Sequence, residues 1–212
     1  VTGVQTCALP ISKVEKIEIK IFCSYFVITF LNSGKMETQF IVLCIDGDLI
    51  GLKELLRVNP DINISADNEW AFRLACLYGH LHVVQWLLQV KPDINISARY
   101  EGAFCGACSY GYLNIAQWLL EVKPDIDISA QNEYAFRFAC YYGHLDAAKW
   151  LQSLKPYLYV IEYDENGNYK DYKIRSKEDA NWEKRKYLVW LASNECPEEN
   201  KTNLLYKLPS DV

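Results

Sequence analysis

The chain has 212 residues, half of them hydrophobic and 23% charged, and its formal net charge is −5 at pH 7. This composition excludes a disordered or fibrous protein, and the length allows one or two ordinary domains. The negative charge argues against nucleic acid as the main partner, because phosphate binding needs clustered lysines and arginines.

The first 35 residues do not fit the rest of the chain. Residues 1–12, "VTGVQTCALPIS", have no periodicity and resemble a translated sequencing adapter, so we exclude them from fold reasoning. Residues 13–35 contain the apolar run Ile21–Leu31, which is shorter than the roughly 20 residues of a membrane-spanning helix. We expect translation to start at Met36 and residues 13–35 to be upstream sequence. A truncated N-terminal segment and a signal or anchor peptide are the alternatives.

A period of 32 residues organises the chain from residue 36 to residue 163. It predicts four repeats, with the boundaries 36–67, 68–99, 100–131 and 132–163. Several residue types recur at this interval: Pro60, Pro92, Pro124 and Pro156; Gly79, Gly111 and Gly143; and Cys44, Cys76, Cys108 and Cys140. Cysteines at that spacing are too far apart to pair directly, and we interpret them as small buried thiols in a reducing compartment.

Each repeat predicts two short helices. We expect the first to start with Asn68 as its cap and Glu69 in its first turn, and to end at Gly79, where a left-handed residue is needed. Apolar residues then recur at helical spacing from Leu81, which predicts a second helix that ends before Pro92. Neither helix is long enough to be stable alone, so the repeats must stack.

Residues 164–212 break the period and are expected to close the array. The stretch "YLYVIEYDENGNYKDYKI" alternates around Asn166-Gly167, which predicts a β-hairpin. The residues that follow predict a helix with Ser176 as its N-cap. We therefore expect a hairpin and a C-terminal cap after the repeats.

The stretch "AFRLACLYGHLHVVQWLLQVKPDIN", residues 71–95, resembles the ankyrin repeat. Gly79-His80 matches the Gly-His pair of that family, and "KPDIN" stands where the family has "GADVN". The sequence departs from the family at the TPLH turn, which reads "WAFR", "GAFC" and "YAFR", and its linking loop is one residue shorter. The resemblance implies an all-α fold, an ankyrin-repeat solenoid of helix-turn-helix units with a C-terminal β-hairpin plus helix cap.

The same resemblance implies a non-catalytic protein that mediates protein–protein interaction. The divergent style of the repeats is similar to the ankyrin families of giant DNA viruses. We therefore expect a viral protein that acts in the cytosol of a host cell by binding a host or viral protein. We expect a monomer that binds a protein on its concave face and that binds neither nucleic acid nor membranes.

No sequence motif indicates a reaction centre. The chain has no Gly-rich phosphate loop, nucleophile elbow or paired-carboxylate motif, so we expect no catalytic residue, cofactor or metal. Cys105 and Cys108 have the spacing of a zinc or redox pair, but a single pair without nearby histidines favours two core thiols. A thiol or metal-binding function through this pair is one alternative. Another is the C-terminal fragment of a longer array that acts as a ubiquitin-ligase substrate adaptor.

Positions that vary between the copies are released from stacking and are therefore candidates for partner binding. Trp, Tyr and Arg, the residues that most often anchor interfaces, are common among them. The expected partner-binding residues are Asp67, Trp70, Arg73, Leu77, Arg99, Tyr100, Ser109, Gln131, Tyr134, Arg137 and Tyr141.

Overall fold

The computed structural model describes residues 36–194 of the chain. Two compact units, Val1–Ala135 and Phe136–Val212, divide the chain and are treated separately below. The expectations for residues 1–12, 13–35 and 195–212 fall outside the described part.

Helices in consecutive pairs make up the first unit. They are α1 (Met36–Asp46), α2 (Leu49–Val58), α3 (Ala66–Leu77), α4 (Leu81–Val90), α5 (Ala98–Ser109), α6 (Leu113–Val122) and the first part of α7 (Ala130–Tyr141). The first helices of successive repeats pack side by side, α1 on α3 and α3 on α5. The predicted stacking of helix-turn-helix units is confirmed.

The core of the first unit repeats one set of side chains along the stack. Phe40, Phe72 and Phe104 are at most 1% exposed, and a cysteine four residues after each of them is fully buried. Burying one such phenylalanine contributes about 1.5–3 kcal/mol, so each repeat depends on its neighbours for most of its stability.

The glycine between the two helices of a repeat is required for two separate reasons. Gly79 has φ +88°, a backbone conformation that disfavours a side chain, and an added Cβ would also overlap the Tyr112 ring of the next repeat. His80 covers Gly47 in the same way and places its Nε2 2.7 Å from the carbonyl oxygen of Ile45. His80 and Tyr112, the residues after Gly79 and Gly111, therefore pack against the preceding repeat.

The predicted start of the first helix is wrong in detail. Asn68 does not cap α3, because it lies in the left-handed region with φ 58° and its side chain makes no capping hydrogen bond. Ser65 occupies the N-cap position, also without a side-chain hydrogen bond. Local capping preference is overridden here by the conformation of the turn.

The second unit contains the rest of α7, then α8 (Leu145–Leu154), β1 (Tyr159–Tyr163), β2 (Tyr169–Ile174) and α9 (Lys177–Asn194). β1 and β2 form the predicted antiparallel hairpin. Tyr159 is fully buried and stacks on Phe136, with ring centroids 4.1 Å apart. This stack attaches the hairpin to α7.

Side-chain hydrogen bonds shape the loop of the hairpin and the start of the last helix, where the sequence predicts Ser176 as the N-cap. In the hairpin loop, the Asp164 carboxylate accepts from the backbone N–H groups of Asn166 and Asn168. At the start of α9, the Ser176 hydroxyl accepts from the Asp179 N–H at 3.0 Å and donates to its carboxylate. The expected hairpin plus helix is therefore confirmed. Among residues 36–194, no helix has both the length and the apolar character needed to cross a bilayer.

Candidate functional site

Near the start of α3, α5 and α7, a run of three residues has left-handed backbone angles, and we call each run a loop tip. The runs are 67–69, 99–101 and 131–133, with φ between 53° and 62° and no glycine among them. A non-glycine residue in this conformation costs about 1–2 kcal/mol, so such runs persist only where other contacts hold them. Strain of this kind concentrates at functional sites, so the tips are candidates for a functional site.

Hydrogen bonds from Arg73 fix the backbone of the tip at residues 67–69. Its Nε donates to the Asn68 carbonyl oxygen at 2.9 Å, and its Nη2 donates to the Asp67 carbonyl oxygen at 3.2 Å. The guanidinium also lies 4.6 Å from the centre of the Trp70 ring, in cation–π contact. The variation of this position between repeats indicated a residue released from the scaffold, but its hydrogen bonds fix the tip.

Hydrogen bonds from Gln131 fix the backbone of the tip at residues 99–101. Cys105 stands there in place of Arg73 and supplies only a long contact from its Sγ to the Tyr100 carbonyl oxygen, at 4.0 Å. The Gln131 Nε2 of the next tip, residues 131–133, donates to the Arg99 and Tyr100 carbonyl oxygens, at 3.3 and 3.1 Å. Two different side chains thus satisfy equivalent pairs of carbonyl oxygens in two tips. The sequence did not predict this exchange.

A buried glutamate lies in each of these two tips. Glu69 and Glu101 are 7% and 9% exposed. Glu69 Oε1 accepts from the backbone N–H of Asn95, at 3.3 Å, which connects one tip to the loop of the next repeat. Glu69 lies in the first turn of α3, as the sequence predicts, although its φ of 60° is left-handed rather than helical.

The first unit brings six of the expected partner-binding residues together. These are Asp67, Trp70, Arg73, Arg99, Tyr100 and Gln131, which we call the tip surface. Tyr100 is 76% exposed, and Asp67, Arg99 and Gln131 are also exposed. The tip surface therefore offers an aromatic ring and charged groups on a backbone that is held in place.

The other expected residues lie apart from the tip surface. Leu77 covers Gly106, where an added Cβ would lie 3.2 Å from its Cδ1. Ser109 is 2% exposed and its hydroxyl donates to the Cys105 carbonyl oxygen at 2.7 Å, so it offers no free group to a partner. Tyr134 is half-buried on α7.

Two expected residues belong to the second unit and are described within it. Tyr141 is 63% exposed, and its ring contacts those of Phe138 and Tyr142 with centroids 6.1 and 5.1 Å away. Arg137 is partly exposed on the same helix. Phe138, Tyr141 and Tyr142 form an aromatic cluster on this part of α7.

The electrostatics of the tip surface centre on Arg73. Partial burial lowers the pKa of Arg73 from its ordinary value, and the nearby positive charge of Arg99 lowers it further. Asp67 and Glu69 act in the opposite direction. Two positive and two negative side chains at and beside the tips 67–69 and 99–101 therefore interact electrostatically.

The cysteines of the described chain have the properties of core residues. Cys105 and Cys108 are buried, and burial raises the pKa of Cys105 to about 12 and that of Cys108 well above its usual range. A reactive or metal-binding cysteine needs a stabilised thiolate, which this surrounding disfavours. Between residues 36 and 194, no group of three or more histidine, cysteine, aspartate or glutamate side chains could hold a metal ion.

Comparisons with known proteins agree with this architecture. The family model described as ankyrin repeats (3 copies) matches residues 72–160. Among solved structures, the chain is similar to an ankyrin repeat family protein from Legionella pneumophila, with a TM-score of 0.52 and 34% sequence identity. That match covers 56% of this chain and only 36% of the Legionella chain. No curated protein matches the chain.

Proposed function

We propose that the tip surface of the first unit binds a protein partner. The proposal is supported by the ankyrin-repeat family model that matches residues 72–160 and by the similarity to the Legionella ankyrin repeat family protein. Ankyrin repeats generally mediate protein–protein interaction and are typically non-catalytic scaffolds. The proposed role is accordingly that of a non-catalytic scaffold. The partner is a protein rather than nucleic acid, since the net charge is −5.

The observation that supports this proposal is the contrast between exposed side chains and a fixed backbone at the tips. Tyr100 is 76% exposed, yet its carbonyl oxygen accepts from Gln131 and its φ of 57° lies in a strained region. A side chain on a preorganised backbone loses little conformational freedom when it binds. Exposed tyrosine and arginine on such a support are common anchors of interfaces.

We also propose the finer features that the ankyrin resemblance implies. The molecule acts as a monomer in the cytosol of a host cell, and its origin is viral, as the divergent repeat "NEYAFRFAC" suggests. Arg137 and Tyr141 form a secondary contact region on the second unit. The repeat boundaries 36–67, 68–99, 100–131 and 132–163 are part of the same proposal.

A capture experiment with a matched control tests the proposal. The full chain is immobilised, proteins from a host-cell lysate are captured, and bound proteins are quantified by mass spectrometry. We expect the double variant Arg99→Ala, Tyr100→Ala to lose the captured protein. Ile50→Ala is the control, because Ile50 is 82% exposed but lies outside the tip surface. Equal capture by the double variant, with an unchanged circular dichroism spectrum, contradicts the proposal.

A further inference from the structure

A groove is formed by the first helix pair of the described range, α1 and α2. Its volume is about 330 Å³, and its apolar lining comes from Met36, Leu43, Leu55 and Val58. Met36 and Val58 are 47% and 61% exposed, although both side chains are large and apolar. A groove of this size can hold several side chains. We call it the α1–α2 groove.

The positions that line the groove are buried in the helix pair that follows. Leu43 and Gly51 line the groove and are partly exposed, whereas Ala75 and Val83, which stand 32 positions later on α3 and α4, are fully buried. α3 packs against both α1 and α5, and no described helix precedes α1. The groove therefore lies at positions that stacking covers further along the array.

The side chains on this face do not suit another ankyrin helix pair. In the later pairs, His80 and Tyr112 cover the glycine of the preceding pair. Asp48 stands at the equivalent position, and its carboxylate instead accepts a hydrogen bond from the Gly51 N–H at 2.9 Å, which caps α2. Gln39 also lines the groove and is exposed, where α3 and α5 have a buried alanine. A stacked pair would remove both polar side chains from water, which is unfavourable.

We propose that the apolar segment Ile21–Leu31 of the same chain docks into the α1–α2 groove. The segment reads "IFCSYFVITFL" and contains no charged residue. A run of this composition gains free energy when it leaves water, and the exposed apolar side chains of the groove gain with it. Residues 13–35 are in this proposal an N-terminal segment of the protein, which was one alternative from the sequence. The docking is independent of the tip surface.

The connection between segment and groove is short. Only the four residues "NSGK" separate Leu31 from Met36, and Met36 itself lines the groove. Asparagine, serine and glycine are typical of turns. Five steps along the chain reach up to about 17 Å, whereas Met36 and Leu43 lie about 10 Å apart along α1. The segment can therefore lie along the whole groove, at an effective concentration that a separate molecule does not match.

Thiol labelling of the full chain tests the docking. Val58→Cys places a reporter in the groove, and Ile50→Cys is the control reporter, because Ile50 is 82% exposed and does not line the groove. Phe26→Asp with Ile28→Asp puts two charges into the segment and should release it. Val14→Asp with Ile17→Asp puts the same charges outside the segment.

The alkylation rate of each introduced thiol is followed by peptide mass spectrometry. If the segment is docked in about nine of ten molecules, its release should speed alkylation at position 58 about tenfold. The rate at position 50 should stay the same, and the charges outside the segment should change neither rate.

A cross-link shows which chain supplies the segment. A short bis-maleimide should join Cys23, within the segment, to the thiol introduced at position 58 of the same chain. We expect this product to exceed the corresponding product at position 50 by about tenfold or more, because docking raises the effective concentration of Cys23 at the groove.

The docking is overturned if releasing charges leave the rate at position 58 unchanged, or if the charges outside the segment have an equal effect. Cross-links between two chains would show that a second copy supplies the segment, and would overturn docking within one chain. If the rates at positions 50 and 58 rise together, the cross-link decides: docking is overturned where Cys23 shows no preference for position 58.

Discussion

Replacing Gly79 by alanine should destabilise the first unit for two reasons that can be measured separately. Alanine at φ +88° costs about 1–2 kcal/mol in backbone strain. Its Cβ would also overlap the Tyr112 ring, and overpacking of this kind costs about 1–3 kcal/mol. We therefore expect a total loss of about 2–5 kcal/mol in the free energy of unfolding.

A double-mutant cycle with Tyr112→Ala isolates the contact between repeats. In the Tyr112→Ala background, Gly79→Ala should cost only the backbone strain, which gives a coupling energy of about 1–3 kcal/mol. Gly143→Ala is the matched control, because Gly143 has φ +75° and nothing within 4 Å of an added Cβ. It should cost about 1–2 kcal/mol, with no overlap to relieve.

The assay is urea unfolding followed by far-ultraviolet circular dichroism, with amide hydrogen exchange to assign each loss to its unit. A coupling energy below about 0.5 kcal/mol would refute the reasoning, since it would mean that the Tyr112 ring does not cover Gly79. Equal losses for Gly79→Ala and Gly143→Ala would lead to the same conclusion.

Three other predictions concern the tips, the thiols and the last helix. Gln131→Ala removes both hydrogen bonds to the tip at residues 99–101 and should lower the free energy of unfolding by about 1 kcal/mol. Amide exchange should become faster in residues 99–101 and stay unchanged elsewhere. Burial raises the pKa of the Cys44 and Cys105 thiols to about 12. Their contribution to the free energy of unfolding is therefore complete below about pH 8.5, the pKa of an unfolded cysteine, and falls as the pH rises towards 12. A urea midpoint that is constant across this range contradicts the prediction. Ser176→Ala should cost about 1 kcal/mol and increase amide exchange in the first turn of α9, and unchanged exchange there would show that the cap is unimportant.

The tips show how a repeat can vary in sequence while it keeps its backbone. Arg73 satisfies two carbonyl oxygens of the tip on its own helix, and Gln131 satisfies the equivalent pair from the tip of the next first helix. The exchange permits Cys105 at the arginine position. The Arg99 guanidinium has no hydrogen bond or ion pair within the described range 36–194.

The sequence by itself determined the period, the two helices of each repeat, the turn at Gly79 and the hairpin around Asn166-Gly167. These features depend on local preferences and on apolar spacing, which a single chain displays in linear order. The same residue types appear at the same offsets in successive copies, and this repetition supports the predicted helices and turns.

Only the tertiary structure decided which variable positions are available to a partner. Ser109 and Arg99 both vary between copies, yet Ser109 is 2% exposed and Arg99 is exposed. The left-handed tips were missed because capping preferences favour Asn68 as a helix cap, whereas the tip conformation is held by Arg73, five residues further along the chain. Burial and hydrogen bonding between repeats join residues about 32 positions apart, as Gln131 and Arg99 are, and no local pattern specifies which of them meet.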